Sequence, residues 1–187
     1  MIRSIFLAVF ITLGFAMLPA FPVKAQADGM TEAEIAEAFA KQKTRGLTIA
    51  PTSPVGTAPT DPTATATQVF YAEIPEEEQV NIAIGFDFDS AALREDQKPK
   101  LVALCNVMKA ADIPVFRIVG HTDSSGSAQY NEKLSLLRAE EVKRHLATDC
   151  GIADDRMQAV GVGAQFPFDA ANPRGDVNRR VEFQALS

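Results

Sequence analysis

Residues 115–120 read Val-Phe-Arg-Ile-Val-Gly, and the chain continues as His-Thr-Asp-Ser-Ser-Gly through Gly126 before the run QYNEKLSLLRAEEVKRHLATD at residues 129–149. A compact apolar run, a polar loop and then a long stretch of 3.6-residue periodicity is a strand feeding a helix across a loop at its C-terminal end. Cys150-Gly151 supplies the helix stop. Downstream, Met157 to Val162 reads as a further strand, and Arg180 to Gln184 (RVEFQ) alternates as a last one. Upstream, Gln79 to Phe88 (QVNIAIGFDF) alternates apolar and polar residues, as a half-buried strand does. Leu93 to Ala111 has helical spacing, with Leu101, Leu104, Val107 and Met108 on one face. Pro99 predicts that this helix is kinked or begins late. The order is β-α-β-α-β-β. The fold class is α/β, an α+β sandwich in which helices pack on one face of a mixed sheet.

The rest of the chain has other tasks. Met1-Ile2-Arg3, the apolar run Ile5 to Leu18 and the small-x-small site Val23-Lys24-Ala25 have the layout of a secretory leader over residues 1–25. The run is shorter than the roughly 20 residues a membrane span requires. No Cys follows it, which argues against a lipid anchor. Residues 26–49 form an N-terminal extension with a short helix at 30–46: Thr31 and Glu34 make a capping box, Ile35 and Phe39 share a face, and Gly46 ends it. So short a helix either frays or docks, and a frayed extension is the expected state. Residues 50–68 (APTSPVGTAPTDPTATATQ) carry four Pro and one charge, and read as a linker. Residues 69–187 then form the folded domain.

Charge and composition exclude several function classes. The formal net charge is −6, and loss of Arg3 and Lys24 with the leader leaves 16 basic against 24 acidic residues. Nucleic acid is therefore not an expected partner. The two His stand in no H-x-x-x-H array and the two Cys in no C-x-x-C, so no metal or other cofactor is expected. In an exported chain Cys105 and Cys150 become a candidate disulfide, both falling late in predicted helices.

The densest polar run is Gly120 to Gly126, and Asn131, Leu134 and Arg138 follow at i, i+3, i+7. On a helix these three lie within about 60° of each other. Arg138 thus shares a face with Asn131 and is expected to point toward the loop holding Asp123. One carboxylate beside one guanidinium suits a ligand carrying both ammonium and carboxylate: Asp123 accepts from the first, and Arg138 clamps the second through paired bonds. Separately, Asp123 before Ser-Ser-Gly also fits a plain Asx-turn, and Arg138 alone fits a solvated helix residue.

The stretch GHTDSSGSAQYNEKLSLLRAEEVKRHL at residues 120–146 resembles the central motif of the OmpA-like, peptidoglycan-binding domain family. The resemblance extends to Phe86-Asp87-Phe88-Asp89-Ser90, Gly151-Ile152, Gly161-Val162-Gly163 and Asn178-Arg179-Arg180-Val181-Glu182-Phe183, and spans residues 79–184. It implies the same β-α-β-α-β-β sandwich and non-catalytic binding of peptidoglycan through the diaminopimelate of uncrosslinked stem peptides. Carried over residue by residue, it assigns Asp123 to the ligand ammonium and Arg138 to its carboxylate. Asp89, Ser125, Asn131 and Arg179 match positions lining the family's pocket. One departure is visible: many members have Gly-Arg shortly before Asn-Arg-Arg, whereas here Asp176 follows Gly175. An extra basic contact from that loop is therefore not expected, while the central pair is unaffected.

The expected setting is the periplasm, at the cell wall or outer membrane, with an envelope protein as a further partner through residues 30–46. The alternative is a protein-interaction component of an envelope or stator-type machine that keeps the fold without wall binding. Catalysis is not expected. Asp87 and Asp89 stand at i and i+2, on one face of a strand, whereas a glycosidase pair must flank the bond it cleaves. The run Ile5 to Leu18 carries no acid for proton handling.

Overall fold

The computed structural model describes residues 29–46, 71–87 and 89–187. The leader at 1–25 and the linker at 50–68 lie outside the described residues. The elements are α1 (Glu32–Arg45), β1 (Val80–Ile82), α2 (Val102–Ala110), β2 (Val115–His121), α3 (Ala128–Thr148), β3 (Met157–Gly163) and β4 (Val181–Leu186). The sheet order is β1-β4-β2-β3. β2 and β3 are parallel, joined across α3, while β4 runs antiparallel to both β1 and β2. This is the mixed sheet that the sequence pattern implied.

Alternation along the strands divides the sheet into two faces. Phe116 and Ile118 of β2 and Val181, Phe183 and Ala185 of β4 point toward the helices, where they join Leu101, Leu104, Met108, Val142 and Leu146 in one buried core. Gly120 and Gly161 are the thin places in that face. A Cβ at Gly120 would strike the backbone carbonyl of Ser135, and one at Gly161 the backbone of Leu136 and Glu132. Only the absence of side chains there lets α3 lie flat against β2 and β3, which fixes where the polar residues of α3 end up.

The first strand is shorter than its pattern. Residues 79–88 alternate, but only Val80–Ile82 pairs, because its partner β4 begins at Val181 opposite Ile82. Beyond that point side chains take over the backbone groups: Lys100 donates to the Ala83 carbonyl at 2.8 Å, and Gln97 accepts from the Gly85 N–H at 3.0 Å. Freed from the sheet, the chain reaches Asp89 with φ at 51°, in the left-handed region that non-glycine residues rarely enter. Pro99 falls within a 3-10 stretch at Glu95–Leu101, and α2 proper starts at Val102.

The N-terminal helix differs more from expectation. Thr31 and Glu34 do form the capping box, and Gly46 ends α1 at φ 64°. The helix is nonetheless no frayed extension, for Ile35, Ala38, Phe39 and Gln42 are buried. Phe39 packs on Phe116 with ring centroids 5.2 Å apart. Arg45 pairs with Glu78 at 2.7 Å. The apolar face of α1 is thus spent on the domain's own sheet. Both ends of the stretch between Gly46 and Tyr71 are consequently fixed to the same body.

The sheet's other face is also covered. Tyr71 and Phe166 lie over Val119, Val160 and Val162. Beside them sits a buried polar group: Glu182 accepts from the Tyr71 hydroxyl at 2.9 Å and from Gln184 at 2.8 Å. His121 Nε2 lies 3.1 Å from the same carboxylate, to which it donates as the only possible donor of the pair. His121 therefore braces the sheet from inside.

Cys105 of α2 and Cys150, just past α3, are joined by a disulfide with Cα atoms 5.8 Å apart. It ties the middle of α2 to the C-terminal end of α3.

Candidate functional site

At the C-terminal end of β2 the chain leaves the sheet under close restraint. The N–H of His121 donates to the Arg180 carbonyl at 3.0 Å, that of Thr122 to Gly163 at 2.9 Å, and that of Ser124 to Pro173 at 2.9 Å. The loop is thus held against the start of β4 and the 164–178 segment before α3 begins. Ser127 caps α3, accepting from the Tyr130 N–H at 3.2 Å. This frees Asn131, which stands on the buried side of α3, to donate from Nδ2 to the Asp123 carbonyl at 3.2 Å. Asn131 therefore fixes the loop.

Asp123 does form the Asx-turn: its Oδ1 accepts the Ser125 N–H at 2.8 Å. Its Oδ2 accepts from Arg179 Nη1 at 3.0 Å. Each carboxylate oxygen retains a second lone pair, so the turn and the pair leave the group able to accept further donors. Burial opposes ionisation, but the donors from Ser125 and the Arg179 guanidinium outweigh it and hold the Asp123 carboxyl below its usual value. Arg179 in turn gives Nη2 to Asp176 at 2.6 Å.

Arg138 is 8% exposed, about two turns beyond Asn131 on the same side of α3. Its Nε donates to the Ser90 carbonyl at 3.2 Å, and its guanidinium lies over the Phe86 ring, 4.7 Å from the centroid. Nη1 and Nη2 make no hydrogen bond to any described residue. Burial lowers the Arg138 pKa, yet an arginine so perturbed stays cationic at neutral pH. The charges of Asp123 and Arg179 both act on it. Asp89 accepts from the Tyr130 hydroxyl at 2.7 Å, which ties the left-handed turn to the first turn of α3.

Asp123, Ser125, Asn131, Arg138, Arg179 and Asp89 thus converge where the β1–α2 connection, the β2–α3 loop and the start of β4 meet. Phe86, Ser90 and Tyr130 lie in stretches that carry the resemblance, but nothing in the residues assigned them a role of their own. Phe86 lay inside an alternating run that read as strand, so its place beneath a guanidinium had no signal. Among the described residues no cluster of His, Cys, Asp and Glu is arranged to hold a metal ion, and no helix is long and apolar enough to cross a membrane.

A family model described as the OmpA family matches residues 85–180, just over half of the chain. The chain belongs to the OmpA family. It is 36% identical over 111 residues to outer membrane porin F of Pseudomonas aeruginosa, covering 58% of this chain and 32% of that protein. To outer membrane protein Omp38 of Acinetobacter baumannii it is 31% identical over 134 residues, covering 70% of this chain and 37% of the relative. The chain therefore spans about a third of the length of these OmpA-family relatives. Among solved structures it is similar to the peptidoglycan-associated lipoprotein from Burkholderia pseudomallei, with 31% identity, a TM-score of 0.46, and coverage of 54% of this chain and 86% of that one.

Proposed function

We propose that this chain is a non-catalytic envelope protein that binds peptidoglycan, gripping the free ammonium and carboxylate at the end of a stem-peptide diaminopimelate. The observation that carries this reading is Arg138. A desolvated guanidinium is costly unless its donors are used, and here Nε and the ring of Phe86 hold it in place while the two terminal nitrogens, bonded to none of the described residues, can take a carboxylate. Asp123, held ionised beside it, provides the matching anion for an ammonium. Asp89, Ser125, Asn131 and Arg179 shape and tether the cleft.

The other carboxylates support binding without chemistry. Asp87 is paired with Arg94 at 3.2 Å and Asp89 accepts from Tyr130 at 2.7 Å, so both carboxylates are already engaged by donors. The names of the relatives, outer membrane proteins among them, favour an exported, envelope-associated setting. An envelope protein partner, if engaged through residues 30–46, would meet the outward face of α1.

Cosedimentation with purified sacculi tests the proposal. Wild type pellets with the wall, Asp123→Ala and Arg138→Ala remain in the supernatant with their folds intact, and no soluble fragments are released. Wild type that stays in the supernatant would leave the fold as a protein-interaction module.

A further inference from the structure

The departure at Gly175-Asp176 has a structural counterpart. Arg179 stands between two carboxylates, with Nη1 on Asp123 at 3.0 Å and Nη2 on Asp176 at 2.6 Å. One guanidinium thus faces two anions, while the terminal nitrogens of its neighbour Arg138 meet no carboxylate among the described residues. We infer that Asp176 sets ligand specificity by neutralising Arg179, so that Arg138 is the one cation the cleft offers to a ligand and a single carboxylate, not two, is what the cleft selects. The inference rests on the wall-binding reading above and concerns which end-group chemistry that cleft prefers.

The physical argument is a count of charges within reach. Asp123, Asp176 and Asp89 oppose Arg138 and Arg179, so the cleft as built is not electropositive. A ligand with one ammonium and one carboxylate exchanges one pair for another. A second ligand anion near Arg179 would find that guanidinium already shared, and would meet the Asp176 carboxylate at a distance where like charges repel. With a basic residue at the same position, the balance would reverse. Asp176 acts through Arg179 and is a positioning residue. Its side chain is 89% exposed, so its replacement leaves the core untouched, while its influence is moderated by solvent and salt.

The test compares two synthetic stem tripeptides ending in meso-diaminopimelate, both with the ammonium and carboxylate of the side-chain end free, one with the C-terminal carboxylate also free and one with that carboxylate as the carboxamide, titrated into the disulfide-bonded protein. In Asp176→Asn the preference for the free carboxylate over the carboxamide rises, by roughly two- to fivefold at low salt and less at high salt. In an Arg179→Gln background the same Asp176→Asn change no longer moves that preference. A preference unchanged by Asp176→Asn, with both peptides still bound, overturns the inference. Failure of wild type to bind either peptide instead strikes the wall-binding reading itself.

Discussion

The side-chain amide of Gln42 is spliced into the sheet at Ala185: its Oε1 accepts the Ala185 N–H at 2.6 Å while its Nε2 donates to the Glu78 carbonyl at 2.6 Å. β1 pairs with β4 only as far as Val80 opposite Phe183, and the glutamine from α1 stands in for the next rung of the ladder. Two backbone groups that would otherwise be buried unpaired are satisfied by one residue of the N-terminal helix.

Gln42→Leu keeps the volume and leaves both groups without partners. It is expected to cost about 3 kcal/mol, taking about 1–3 kcal/mol per orphaned buried group. Chemical denaturation of the variant measures this directly. A loss below about 0.5 kcal/mol, the size of an ordinary surface change, would mean that α1 contributes little to the domain.

Stability should fall on mild acidification through His121. Burial lowers its pKa below the ordinary value of about 6.5, with Glu182, Tyr71 and Arg180 as the titratable groups facing it. The unfolded chain therefore takes up a proton at His121 before the folded chain does, and stability is full above about pH 6.5 and declines as pH falls below it. Melting temperature measured from pH 7.5 to 5 should show that slope, and His121→Gln should flatten it. An equal slope in both proteins would assign the effect elsewhere.

Ligand binding should resist acid longer than an ordinary carboxylate allows. Asp123 must be ionised to accept an ammonium, and its pKa lies below the usual value of about 3.9. Binding is thus retained at pH 5 and is lost only as pH falls through that depressed value, provided the fold persists by circular dichroism. Loss already between pH 6 and 5, in folded protein, would implicate a different group.

The Cys105–Cys150 bond closes a separation of 45 residues. Removing such a cross-link costs about 4 kcal/mol on loop-entropy grounds. Denatured but unreduced protein should show no free thiols, and Cys105→Ser with Cys150→Ser should unfold at markedly lower denaturant. Two free thiols per chain would contradict the bond.

Much of this architecture was legible in the residues. The runs at 115–120 and 157–162, the helix after Gly126 and the late start forced by Pro99 follow from periodicity and breakers, which are local. The polar loop at Gly120–Gly126 and the Asn131–Arg138 spacing located the cleft for the same reason. What escaped were features made by distant segments. Alternation at 79–88 says which residues share a face, but not that β4 begins at Val181 and leaves the second half of the strand without a partner. Arg180-Val181-Glu182-Phe183-Gln184 reads as one wet face and one dry, yet Tyr71 and Phe166 cover the expected wet face, so Glu182 and Gln184 are fully buried. A glutamine at position 42 carries no sign that it will serve as a strand rung. The Arg179 pairing with Asp123 joins residues 56 positions apart, beyond the reach of any local pattern.

The central claim is that Asp123 takes an ammonium and Arg138 a carboxylate, and calorimetric titration of wild type, Asp123→Asn and Arg138→Gln with a diaminopimelate tripeptide and its two blocked forms tests it most directly. The account predicts that Asp123→Asn weakens binding of the unblocked peptide but not of the form with its ammonium acetylated. Arg138→Gln should likewise be silent toward the form with its carboxylate amidated. Each variant losing the same factor toward all three peptides would contradict that assignment.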